Sequence, residues 1–330
     1  MSKKIKIITT LVKGGVLDSA VLINKSFIAK GYNSSLIKAS NNSRDISDKI
    51  NYGDYVIFHM SAYGYQKKGI PFWLINEIKL IKKKSSFLII HFHELNVNKK
   101  FWELGFLIMI LQKYINIQLL KYCDLWVTSN AQYAHWLNKY HHQEKKYICP
   151  VHSNIDYSLL KTKKDKKIVV IFGTAETRLQ IYKKHFSLIK RWIFENKLFL
   201  YDIGPKIEEL EIKKLFNSCD RVKILGRLSE KKIRDLFSKA YFGIFSKPDD
   251  LVDKSGTFAT YSKFKVCPIN LENINYKKNF SVSNKLRYLS FLPKKKFSQK
   301  SVNKICKINF KMSKKYNVEN YLRVYIKNFN

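Results

Sequence analysis

The chain has 330 residues, 45% hydrophobic and 14% aromatic, which excludes a disordered segment and leaves room for two domains of roughly 150 residues. Its 62 Lys and Arg stand against 25 Asp and Glu, a net charge of +37, and only eight of the 62 are Arg. Nucleic-acid readers rely on the bidentate guanidinium fork, so this Lys excess points to diffuse attraction for an anionic surface or to plain compositional bias, and no nucleic-acid partner is expected. In chain order, "KIKIITTLV" reads as a first strand, "KGG" (13–15) as a tight loop, and "VLDSAVLINKSFIAKG" as an amphipathic helix closed by Gly31. "YNSSLIKA" is a second strand. "DYVIFHMS" (54–61) and "SSFLIIHFH" (85–93) are further apolar strands around a helix at 71–84. A helix at 104–121 leads to the strand "CDLWVTS" (123–129) and a helix at 130–140.

The pattern restarts after the Lys-rich "LLKTKKDKK" (159–167). "IVVIFGTA" (168–175) is a buried strand ending in a small-residue turn, followed by a helix to about 195. "LFLYDIG", "RVKILGRLS", "AYFGIFSK" and "KVCPIN" continue the alternation, and "NVENYLRVYIKNF" (317–329) forms a final helix. Strands alternating with helices imply parallel sheets covered on both faces. The expected class is therefore α/β: two Rossmann-like domains, 1–160 and 161–316, facing a cleft, with 317–330 a helix packing back towards the first. Ligands in such sheets bind beyond the carboxyl ends of the strands, where "GG" and "HFHE" both lie.

Five scattered cysteines (Cys123, Cys149, Cys219, Cys267, Cys306) lack a C-x-x-C pair, which argues against a disulfide framework or zinc site and fits a reducing cytoplasm. The basic N-terminus has no apolar stretch long enough for a signal peptide. The run at 104–120 is broken by Gln112, Lys113, Asn116 and Gln118, so it reads as a buried helix rather than a span.

The stretch "FLIIHFHEL" (87–95) brings two imidazoles and a carboxylate to a strand end. His91 and His93 alternate, so both point to one face, but a zinc site would need a third ligand from elsewhere. Either His could also do no more than cap the strand. Lys13, Gly14 and Gly15 form a loop ahead of a helix N-terminus, suited to an anion or to a plain turn. Arg178 and Arg227 follow strand ends of the second half, where a guanidinium matches phosphate, although Arg227 reads equally as a surface residue.

Several of these stretches together resemble the GT-B glycosyltransferases grouped with family 4, of the bacterial surface-polysaccharide assembly type. The residues that carry the resemblance are "LVKGGVLDSAVLINKSFIAKGY", "HMSAYGYQKKGIPFWL" (59–74), "FHELNV", "CDLWVTSNAQYAHWL", "ILGRLSEKKIRDLFSKAYFGIFSK" and "KSGTFATYSKF". The resemblance implies a hexosyl transfer from a nucleotide-diphosphate sugar to a glycan or polyprenyl-diphosphate-linked acceptor, with no metal and no other cofactor. Basic side chains and helix N-termini would stand in for a divalent cation, and no DxD-type acid pair is in evidence. His93 and Glu94 resemble the family's H-E pair, and Asp253 falls where its first C-domain acid lies. These three are the catalytic candidates. Gly14, Gly15, Gly173, Arg178, Arg227, Lys254, Ser255, Gly256 and Thr257 are donor-binding candidates. Tyr261, standing where many relatives have a ribose-binding Glu, joins them, although a phenol supplies no charge. Tyr63, Tyr65 and Trp73 are acceptor candidates or domain core. The charge and a lipid-linked acceptor together imply attachment to the inner face of the cytoplasmic membrane. The rival readings are a non-enzymatic basic protein of the same fold that binds polyanions or membranes, and a nucleotide-sugar epimerase.

Overall fold

The computed structural model describes residues 4–12, 14–40, 45–96, 102, 105–155, 162–207, 220–272, 288–290 and 298–329; Lys13 and Cys219 lie outside them. The chain forms two compact units, Met1–Pro150 with Tyr316–Asn330, and Val151–Lys315. The boundary thus falls at Pro150, earlier than the Lys-rich stretch suggested.

In the first unit a parallel sheet has the strand order β2-β1-β3-β4-β5-β6. Its strands are β1 (Ile5–Thr10), β2 (Ser34–Ala39), β3 (Tyr55–Met60), β4 (Phe87–Phe92), β5 (Leu125–Thr128) and the short β6 (Tyr147–Ile148). Successive side chains alternate between faces, and both faces are buried, which explains the continuous β-branched runs. One row, with Val56, Phe58, Leu88, Ile90, Phe92 and Trp126, packs under the helices α3 (Trp73–Lys84), α4 (Phe106–Leu120) and α5 (Ala131–Tyr140). The other row, with Ile5, Ile7, Ile57, Ile89, Leu125 and Val127, packs under α1 (Gly15–Ala29) and the chain's final helix, Val318–Lys327. A single turn of helix, α2 (Ala62–Tyr65), follows β3.

The second unit has the order β12-β11-β10-β7-β8-β9, again parallel. Its strands are β7 (Asp165–Phe172), β8 (Phe199–Ile203), β9 (Val222–Gly226), β10 (Ala240–Phe245), β11 (Cys267–Asn270) and β12 (Leu289–Ser290). Helices α6 (Ala175–Glu195), α7 (Glu230–Lys239), α8 (Gly256–Lys263) and α9 (Gln299–Lys315) cover them, and α10 is the final helix already described. The sequence reading omits α2, α9, β6 and β12. The order of elements places topological switch points at β1/β3 in the first sheet and at β7/β10 in the second, the positions where such sheets hold ligands. Among the described residues no helix is long and apolar enough to cross a membrane.

Candidate functional site

The carboxyl edge of the first sheet carries the polar side chains. His59 of β3 and His91 of β4 are register partners, so their side chains share a face, and His93 follows two residues on. All three imidazoles are buried. His59 Nδ1 lies 2.8 Å from His93 Nε2, and the His91 and His93 rings stack at 4.1 Å between centroids. His91 Nδ1 meets the Tyr325 hydroxyl of α10 at 3.0 Å, and Tyr321 lies beside His91. Thus the third imidazole that the spacing of "HFHE" could not supply comes from β3. Its signal was available in "DYVIFHMS", whose histidine falls at the same depth as His91. Glu94 is exposed beside this cluster and accepts a long hydrogen bond from Ser61 at 3.4 Å. Along the same edge the buried Thr9 and Ser129 hydroxyls have no hydrogen-bond partner among the described residues.

At the β1 end, Gly14 caps α1 without a side-chain hydrogen bond, and the space around Gly14 and Gly15 is open. The Thr10 hydroxyl donates to the Gly64 carbonyl across the switch point. The acceptor candidates divide. Tyr63 is 42% exposed, and its ring lies against Gly69, where a φ of 71° and the Gln112 amide leave no room for a side chain. Trp73 is half-buried against the core. Tyr65 is buried, stacked on Phe58, with its hydroxyl donating to the His59 carbonyl, so it is a core residue and not an acceptor platform.

In the second unit three neighbouring strands finish at glycines: Gly173 after β7, Gly204 after β8, and Gly226 closing β9. Gly204 cannot be replaced without a shift, because a Cβ there would collide with the Gly173 carbonyl. The result is a bare backbone edge. The N-terminus of α8 abuts it, with the Thr257 hydroxyl donating to the Phe172 carbonyl at 3.1 Å. Ser255 caps α8, its hydroxyl accepting the Phe258 amide at 3.1 Å, while the surroundings of Gly256 are open. Lys254 is half-buried at the end of the 3-10 turn Asp249–Lys254. Asp253 is buried, and its carbonyl accepts the Val151 amide. Arg227 is exposed after β9.

Two donor candidates are corrected. Arg178 is 1% exposed, pairs with Asp202, and donates to the Gly173 and Pro205 carbonyls. Its guanidinium is engaged in holding the glycine edge together and is buried from solvent. Burial raises the Asp202 carboxyl above the usual carboxylate range, although Tyr182 and Arg178 both oppose the rise. Tyr261 is wholly buried: its hydroxyl donates to the Ile244 carbonyl at 3.0 Å and accepts the Phe172 amide at 3.1 Å. The phenol therefore ties β7 to β10 at the switch point and is not available to a ribose. Its ring fills the space that a side chain at Gly243 would need.

No family model matches the sequence, and no curated protein matches it. Solved structures do. An alpha-glucosyltransferase in complex with UDP and a 13-mer DNA containing a HMU base matches with TM-score 0.55 and 13% identity, covering 100% of this chain and 95% of that one. AviGT4, a glycosyltransferase involved in avilamycin A biosynthesis, matches with TM-score 0.55 and 8% identity, covering 99% and 98%. A Listeria monocytogenes protein described as a UDP-N-acetylglucosamine 2-epimerase matches with TM-score 0.52 and 9% identity, covering 83% and 80%. One of these folds holds DNA, so the lack of a nucleic-acid motif is no ground for excluding nucleic acid, and that expectation is withdrawn. With these neighbours and its two parallel sheets, the chain has the two-unit Rossmann-like fold of GT-B glycosyltransferases.

Proposed function

We propose that the protein is a glycosyltransferase that moves a sugar from a nucleoside-diphosphate donor, bound by the second unit, to an acceptor bound by the first. The observation that carries this reading is the bare edge of the second sheet. Gly173 and Gly226, partly exposed on either side of the buried Gly204, leave the strand ends free of side chains beside the open N-terminus of α8, where amides and the helix dipole favour an anion. Lys254 adds a charge beside Ser255 and Gly256, and the diphosphate is held without a metal. Structures of the same fold that contain UDP support the nucleotide. On the acceptor side His93, with Glu94 beside it, meets the sugar or the attacking hydroxyl through one ring nitrogen. Asp253, buried to the same degree as His93, is the candidate acid on the donor side of the sugar.

The acceptor is a glycan or lipid-linked glycan of bacterial surface-polysaccharide synthesis, in the manner of family 4, and the protein works at the cytoplasmic membrane face. Helix α4 supports the lipid surface over nucleic acid. It is apolar on nearly every side, yet Leu107, Ile110 and Tyr114 are exposed at 64%, 44% and 50%. A nucleic-acid interface would be polar and cationic there. A nucleotide-sugar epimerase is the second reading, favoured by the epimerase description of one structural neighbour.

The deciding experiment incubates the purified chain with a panel of nucleotide sugars, with and without lipid-linked acceptors or hydroxymethylated DNA. Acceptor-dependent release of nucleoside diphosphate supports transfer and identifies the acceptor class. Interconversion of the donor sugar without an acceptor would establish the epimerase instead.

A further inference from the structure

We propose that His59, His91 and His93 form a binding site for one divalent transition-metal ion of the zinc, cobalt or nickel class. This inference goes beyond the transferase reading and does not depend on it. It concerns an ion held inside the first unit, whereas the donor diphosphate is assigned to the second.

His59 and His91 sit opposite each other on adjacent parallel strands, and His93 continues the same side past the end of β4. One ligand nitrogen from each of the three lies within 4.8 Å of the others. Bonds of about 2.0–2.1 Å to a shared ion put neighbouring nitrogens roughly 3 Å apart, so the set needs only small side-chain adjustments to close. The His59 Nδ1 to His93 Nε2 separation of 2.8 Å already has that spacing. In the ion's absence it is a hydrogen bond. With the ion bound, the one shared proton would sit on the outer nitrogen of the ring that donated it, and both facing nitrogens would offer lone pairs.

The surroundings fit as well. The nitrogen of a ligating imidazole that does not touch metal is normally held by an outer partner, which fixes the tautomer. His91 has such a partner in the Tyr325 hydroxyl, which leaves Nε2 for the cluster when Nδ1–H donates. Tyr321 donates to the Cys149 and Pro150 carbonyls, which fixes α10 against this edge. Three neutral nitrogens in a buried setting select zinc, cobalt, nickel or copper over magnesium or calcium, which require oxygen. Three protein ligands leave a further coordination position. Because each imidazole has two nitrogens, His93 can bind the ion through one and keep the other for the sugar hydroxyl.

The test uses the full-length chain without a polyhistidine tag, stripped with chelator and titrated with Co2+. Saturable binding of one equivalent, with visible ligand-field bands, is expected, and Zn2+ should displace it. His59→Ala and His91→Ala should each weaken binding at least ~100-fold, and Tyr325→Phe ~10-fold. Should either His variant fail to fold, the wild-type titration and Tyr325→Phe still decide. Absence of saturable Co2+ binding by the wild type, or bands unchanged in His59→Ala, would overturn the site. A protein that binds Co2+ but transfers no sugar refutes only the transferase reading; one that transfers sugar but binds no Co2+ refutes only the ion.

Discussion

At the scale of single residues, the buried guanidinium of Arg178 and the phenol of Tyr261 turn two donor candidates into supports. Arg178→Met leaves Asp202 in the core without its cation, and should cost about 3–5 kcal/mol in urea denaturation, the usual penalty for breaking a buried pair. Retained stability with weakened UDP affinity would instead return Arg178 to the phosphate. Tyr261→Phe should cost about 1–3 kcal/mol by leaving the Phe172 amide without its partner. His93→Ala should lower turnover roughly 10²–10⁴-fold while UDP binding by calorimetry barely moves, as for a group acting on the acceptor side. His152 gives a pH handle. Burial holds its imidazole below the ordinary 6.5, so below that value the unfolded chain takes up a proton that the folded chain refuses. Stability therefore falls with falling pH, by at most about 1.4 kcal/mol per unit for this group. Denaturation of His152→Leu at about pH 7.5 and about pH 5.5 should show a smaller loss than the wild type.

At the scale of elements, α8 combines two tasks that one substitution can separate. Its cap, Ser255, satisfies an amide, so Ser255→Ala should cost about 1 kcal/mol of stability. Lys254→Ala touches no cap and should leave denaturation midpoints in place while weakening nucleoside-diphosphate binding by about 1.5–3 kcal/mol. Bare nucleoside should be affected much less. Equal loss for nucleoside and diphosphate would move the phosphate site elsewhere. Most strands and helices were legible in the sequence because period-2 and period-3.6 patterns are local. Helix α9 was not: its "SVNKICKINFKMSKK" carries so many lysines that its buried stripe of Val302 and Ile305 is thin. The candidate site was legible only where it lies on contiguous residues. "HFHE" advertises His91 and His93, but His59 joins them through sheet register, and register across 32 positions is not a local signal. Likewise nothing near Arg178 in sequence announces Asp202, which reaches it from the neighbouring strand.

At the scale of the whole molecule, the proposed membrane attachment draws on the net charge of +37 and on the exposed stripe of α4. Each Lys near an anionic bilayer contributes about 1 kcal/mol, and the stripe adds apolar area, so binding to phosphatidylserine-containing vesicles should exceed binding to neutral ones and weaken with salt. Replacing Leu107 and Ile110 with Ser should reduce it further at high salt, where only apolar contact persists. Vesicle binding indifferent to lipid charge would leave the lysines as compositional bias. Donor binding should survive EDTA in calorimetry, since no ion is assigned to the diphosphate.

The final helix of the chain has a further consequence for synthesis. Because Tyr321, Leu322 and Tyr325 complete the second face of the first sheet beside α1, residues 1–150 cannot fully bury Ile7, Phe27, Ile57 and Ile89 until residue 325 has left the ribosome. For the whole time that the second unit is being made, the first waits with an open apolar face. This is a non-local closure of the sort that slows folding and exposes a nascent chain to chaperones and aggregation. A chain stopped after Lys315 should therefore be recovered largely in inclusion bodies, and a separately supplied peptide spanning residues 316–330 should restore part of its solubility.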